Sequence, residues 1–205
     1  MVVWGMTVVV VYKVNNGVGA TTLAEEIARA LLPRGHPVYL VDASVTYPAL
    51  SLRYYPDDAC GWLSEAWGRP ACGCREAPPV RLEYSLVPGT DASRLYMGLC
   101  RAERGVLAEL SSALSAYLAK RRGKSYVVVD LDLWAVARAL REHTLIYIDD
   151  YRLARPTPQQ EEAARMARIV VANRAAARPD LAHYSAHTKE DLRRVAKEIA
   201  SLIPP

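Results

Sequence analysis

Phenylalanine is absent from this 205-residue chain, lysine numbers five against 21 arginines, and asparagine and glutamine together number five. So few heat-labile amides fit a thermophile, while the arginine excess follows equally from genomic base composition. Long apolar runs are missing as well. Nothing approaches the ~18–20 residues of a membrane span, and Val8 to Val11 meets Lys13 and Asn15 before it can serve as a signal peptide. A soluble, cytoplasmic protein is therefore expected. Internal repeats and low-complexity linkers are lacking, which excludes a repeat array. With 51% hydrophobic and 23% charged residues the composition is that of an ordinary globular chain, not of a disordered tail, a collagen-like repeat or a disulfide miniprotein. At ~150 residues per domain, one domain over residues 1–205 is the expectation.

Cysteines are few and unpatterned. Cys60, Cys72, Cys74 and Cys100 give C-x11-C-x-C-x25-C, which matches no zinc ribbon or finger and contains no C-x2-C knuckle. Buried thiols, a disulfide and a bound metal all remain open. Among His36, His143, His183 and His187 only the pair His183-x3-His187 has metal-like spacing, and it falls in a loop before the last helix.

Charge is uneven along the chain. Residues 1–100 hold 8 Lys+Arg against 9 Asp+Glu and residues 101–205 hold 18 against 13, so the net +4 comes from a C-terminal half at +5. The basic clusters are Arg121-Arg122-Gly123-Lys124, Arg138 with Arg141, and Arg193-Arg194 with Lys197. They read first as solvated helix faces with local ion pairs such as Glu190 to Arg194, and second as a salt-sensitive contact for DNA. Trp4, Trp62, Trp67 and Trp134 are not interleaved with these clusters. They read as packing residues rather than as a stacking platform.

What is present is a repeated alternation of strand and helix. Met6–Val14 is a continuous β-branched run ending in Asn-Asn-Gly, the pattern of a strand buried on both faces. Leu23, Ile27, Ala30 and Leu31 then share one helical face that stops at Pro33 and Gly35, and Pro37–Val41 is a second strand. Such a unit is a right-handed βαβ crossover. Further strands are expected at Leu82–Val87, Tyr126–Asp130, Leu145–Ile148 and Ile169–Ala172. Helices are expected around Leu107–Leu118, Leu133–Arg141 and Gln159–Ala167, with a last one opened by the capping box Thr188-Lys189-Glu190-Asp191. Residues 44–80, rich in proline and glycine and holding three cysteines, read as a loop-rich insert. The fold class is α/β: a doubly wound, mostly parallel sheet with helices on both faces.

Ligands of such sheets bind beyond the carboxyl ends of the strands. Those ends carry Asn15 to Thr22, Asp42 to Ser44, Asp130 to Asp132 and Asn173. The segment Asn15-Asn16-Gly17-Val18-Gly19-Ala20-Thr21-Thr22 joins a strand to a helix, so its glycines let backbone N–H groups converge on an anion. On the plainer reading, Gly17 and Gly19 make only the tight turn that the junction demands.

This segment resembles the loop Lys-Gly-Gly-x-Gly-Lys-Thr-Thr of the ParA/MinD deviant-Walker P-loop ATPases. The resemblance extends along nearly the whole chain. RGHPVYLVDAS is similar to the family's second strand with its Asp-x-Asp, YSLVPGT to the segment after its variable insert, KSYVVVDLD to its Walker B strand, and ARIVVANRAA to the strand ending in the adenine-contacting Asn. It implies a P-loop NTPase-like fold, ATP or ADP with magnesium as ligand, a magnesium site at Thr21, Asp42 and Asp130, base contact by Asn173, and a homodimer or other protein partner. Some members bind DNA without sequence specificity.

The departures fall on the chemistry. The family's signature lysine matches Asn15, its phosphate-binding lysine matches Ala20, and the water-orienting second Asp matches Ser44. Phosphoryl transfer is catalysed by positioning and charge stabilisation, so the terms that accelerate it are the ones lost. Two missing charge-assisted hydrogen bonds cost roughly 3–6 kcal/mol, on the order of a hundred- to ten-thousand-fold in affinity. Compensation would have to come from an arginine or from Lys13, which lies in the strand two positions before Asn15. The expectation is a pseudo-ATPase with weak or no nucleotide binding, acting as a binding or scaffold subunit. An active partitioning or positioning ATPase and a DNA-associated protein are the alternatives.

Overall fold

The computed structural model describes residues 5–80, 82–121, 123–140, 143–150, 156–174 and 182–204. Trp4, Arg122 and Arg141 lie outside them. Seven strands form one sheet in the order β3-β2-β4-β1-β5-β6-β7: β1 (Thr7–Lys13), β2 (Val38–Ala43), β3 (Ser85–Val87), β4 (Tyr126–Leu131), β5 (Thr144–Asp149), β6 (Ile169–Asn173) and β7 (Tyr184–Ala186). Every pairing among them is parallel.

The apolar runs are explained by burial on both sides. From β1, Val8, Val10 and Tyr12 enter one core while Val9 and Val11 enter the other, so neither parity of the strand can be polar. One face is covered by α1 (Ala20–Leu31), α2 (Ala49–Tyr54) and α8 (Lys189–Leu202), the other by α3 (Trp62–Trp67), α4 (Thr90–Tyr96), α5 (Val106–Lys120), α6 (Trp134–Ala139) and α7 (Pro158–Met166). Helix α8 starts where its capping box places it: Thr188 Oγ1 accepts from the Asp191 N–H at 3.1 Å and Asp191 accepts from the Thr188 N–H at 3.0 Å.

Three short helices and one short strand depart from the sequence reading. The 44–80 segment is not all loop, since it holds α2 and α3, and α4 follows β3 directly. These helices have six or seven residues and lie between Pro48, Gly61, Gly68 and Gly89, too short to display a helical period and punctuated by residues that signal turns. Strand β7 escaped notice because three residues carry no period at all, and the strand expected over Leu82–Val87 forms only at Ser85–Val87. His183 serves its edge, its Nδ1 accepting from the Val170 N–H at 3.0 Å.

The same flank settles the cysteines. Cys60 is bonded to Cys74 and Cys72 to Cys100, and no free thiol remains. Among the described residues no group of His, Cys, Asp and Glu is arranged to hold a metal. Asp91, buried at the start of α4, gathers the loop beneath the disulfides. Its Oδ2 accepts from the Gly61 N–H, the Ser64 N–H and the Ser64 hydroxyl at 2.8, 2.8 and 2.7 Å.

Candidate functional site

The C-terminal edge of the sheet brings together the residues that the sequence placed there. Asp42 and Asp130 face each other in register across β2 and β4 and are both fully buried. Thr21, in the first turn of α1, donates its hydroxyl to Asp130 Oδ2 at 2.6 Å. Asn173, at the end of β6, donates from Nδ2 to the Val18 carbonyl at 2.7 Å. Its buried Oδ1 has no protein partner. The Asn15–Thr22 loop, β2, β4 and β6 thus meet at one end of the sheet.

Gly17 and Gly19 both adopt positive φ, 81° and 92°, the left-handed backbone that glycine adopts without penalty. At Gly19 the space is closed as well, because a Cβ there would lie 2.6 Å from Asn173 Nδ2 and 3.3 Å from Leu192 Cδ1. Gly19→Ala is therefore expected to destabilise the protein by about 2 kcal/mol and to break the Asn173 bond to Val18. Urea denaturation checks this. A variant as stable as the parent would mean that loop and Asn173 move apart freely.

Asp42 is held by its neighbours. Its Oδ2 accepts from both the N–H and the hydroxyl of Ser51, each at 2.8 Å, and its Oδ1 takes the Ser44 N–H at 3.4 Å. Burial first, and the adjacent Asp130 charge second, push its carboxyl up to about 7, against the pull of Ser51 and Lys13. The backbone crowds it from behind: a Cβ at Gly89 would stand 1.8 Å from the Asp42 carbonyl oxygen. That close approach accounts for glycine in YSLVPGT.

Two residues of the site were not legible as such. Lys13, at the end of β1, is 4% exposed and places its Nζ 3.3 Å from Asp130 Oδ1. It sits under the loop and against the carboxylate, not out in the strand's core. Asp132 stands beside Ser44, whose hydroxyl donates to its Oδ2 at 3.0 Å, and it also accepts from the Val45 and Thr46 N–H groups and the Thr46 hydroxyl. A carboxylate is thus present next to position 44, although both its oxygens cap the 44–46 turn. The Asp-x-Asp at 130–132 was visible in the sequence, but its contact with Ser44 depends on the pairing of β2 with β4.

Asp149 and Asp150 are also buried, at the end of β5, and Asp149 accepts from the Tyr147 hydroxyl at 2.5 Å and from Gln160 Nε2 at 2.7 Å. Four arginines of the basic clusters are engaged in ion pairs: Arg193 with Glu26 at 3.3 Å, Arg194 with Glu198 at 3.1 Å, Arg121 with Glu65 at 2.6 Å and Arg138 with Glu162 at 3.7 Å. A cleft of 480 Å³ lies on the disulfide flank, lined by Tyr55, Ser64, Arg69, Leu86 and Pro88 and by no residue of the phosphate loop.

No protein-family model matches the chain, and no curated protein does either. Solved structures do. A plasmid partition protein from Borrelia burgdorferi superposes with a TM-score of 0.62 at 12% identity, covering 96% of each chain. Cobyrinic acid a,c-diamide synthase from Mycobacterium smegmatis, with bound ADP and magnesium, gives 0.61 at 19% identity over 96% of this chain and 93% of that one. A ParA family ATPase from Chlorobium tepidum TLS gives 0.54 at 11% identity, covering 96% and 92%. The chain shares their fold. That fold is a doubly wound parallel sheet of the P-loop NTPase-like class. Among the described residues no helix is long and apolar enough to cross a membrane.

Proposed function

We propose that this chain is a ParA/MinD-like pseudo-ATPase, a single-domain, cytoplasmic binding or scaffold subunit that holds nucleotide weakly and does not hydrolyse it. One observation carries the reading: the buried cation at this end of the sheet, Lys13, is directed onto Asp130, while Asn15 and Ala20 carry no charge toward a phosphate. Ser44 offers a hydroxyl in place of a carboxylate, and the nearby Asp132 is committed to the 44–46 turn. The magnesium-type set Thr21, Asp42 and Asp130 and the orphaned Asn173 Oδ1 are what remains of a nucleotide site, and the bound ADP and magnesium of the Mycobacterium smegmatis synthase supports nucleotide as the ligand. An exposed apolar patch at Tyr47, Met97 and Leu99, 58%, 70% and 61% exposed and close to the 44–46 turn, supports a protein partner or a second copy. The ion pairs along α8 favour solvated helix faces over DNA contact.

Phosphate release from ATP and magnesium is expected to stay at the buffer rate. Ala20→Lys is expected to tighten nucleotide by the ~1.5–3 kcal/mol of one charge-assisted bond without turnover, because the transition state still lacks its carboxylate. Calorimetry and a phosphate assay on Ala20→Lys, beside the triple change Asn15→Lys, Ala20→Lys, Ser44→Asp, test this. Family-like turnover by the unmodified chain would establish the active ATPase instead, and turnover by the single variant equal to the triple would show that Ser44 is not the missing element.

A further inference from the structure

The residues that the fold family would use for magnesium do not fit a divalent ion here. The Thr21 hydroxyl spends its proton on Asp130 Oδ2 at 2.6 Å, and the other carboxylate oxygen faces the Lys13 ammonium at 3.3 Å. Asp42 is taken up by Ser51 and Ser44. A cation is therefore already present among these oxygens. It is covalently part of β1 and almost wholly buried, and a second cation beside it would meet a like charge with little solvent to screen the repulsion. We propose that the Lys13 ammonium stands in for the divalent metal, so that a phosphate-bearing ligand binds the Asn15–Thr22 loop without one.

The inference rests on the proposed function only for the ligand, a nucleotide; its metal arm stands alone. In that arm, Mn2+ is titrated into the full chain without nucleotide and followed by electron paramagnetic resonance. The unmodified protein and Lys13→Arg are expected to show no saturable site up to about millimolar metal, while Lys13→Met is expected to gain one, at least tenfold tighter. A saturable site in the unmodified protein that Thr21→Val removes overturns the proposal, as does a folded Lys13→Met that gains none. If Lys13→Met does not fold, the unmodified protein decides. In the second arm, ATP is titrated calorimetrically in EDTA and in excess Mg2+. Affinities within twofold of each other are expected, and a tenfold tightening by Mg2+ overturns the proposal. Absence of ATP binding in both buffers removes nucleotide from the proposed function, and the Mn2+ arm then carries the decision.

Discussion

Reduction of the two disulfides is expected to cost the protein more stability than any single substitution on its surface. Cys60–Cys74 closes 14 residues and Cys72–Cys100 closes 28, and loops of this size contribute about 2–4 kcal/mol each by restricting the unfolded chain. The two loops overlap at residues 72–74, so their contributions are not independent and the joint loss should fall short of the sum. They also secure a segment that has little regular structure: α3 has six residues, and the Ala59–Arg75 bridge is isolated from the sheet. Urea denaturation with and without a phosphine reductant should show the midpoint fall sharply. Alkylation should label no cysteine before reduction and four after it. An unchanged midpoint, or labelling of the untreated protein, would contradict the pairing.

The second large effect should follow from Asp91→Ala. This carboxylate is buried at the first turn of α4, and its removal strips the acceptor from the N–H groups of Gly61 and Ser64 and from the Ser64 hydroxyl. Burial holds the Asp91 carboxyl above its ordinary value, against the pull of the Ser64 hydroxyl and the Gly61, Ser64 and Ala92 N–H groups. Buried donors left without a partner cost roughly 1–3 kcal/mol each. A loss of about 4 kcal/mol is expected, equivalent to a fall in Tm of roughly 10 °C for a chain of this length. The Ser64 hydroxyl accepts from the Ala71 N–H at 3.0 Å, so the damage should spread to the Cys72–Cys74 turn and appear as faster hydrogen exchange there. A Tm within 2 °C of the parent would show that water replaces the carboxylate at no cost.

Strands β1, β2, β4, β5 and β6 could be read from the sequence because each is buried on both faces, and double burial writes an apolar run. Helices α1, α5 and α8 were legible for the complementary reason, one apolar face each. The cysteines were not, since four of them allow three pairings and spacing does not choose among them. Nor was the role of Lys13. The sequence placed it correctly in β1, but its partner Asp130 lies 117 residues away on a strand that pairs with β1 only once the sheet is assembled. Asp132 beside Ser44 is the same case, 88 residues apart. Local pattern fixes which residues reach the strand ends, and strand order fixes which of them meet.

Strand order also constrains how the chain can fold as it is made. β1 emerges first, yet both its neighbours, β4 and β5, lie in the second half of the sequence, and Arg34 binds the carbonyls of Ala200 and Ile203 at the far end of α8. Until Tyr126–Leu131 leaves the ribosome, the central strand of the sheet has no partner on either edge. Its loop-closure entropy is met late, which predicts slow folding and an aggregation-prone nascent chain. Fragments ending before β4 should consequently be insoluble, even with β1, α1 and β2 complete.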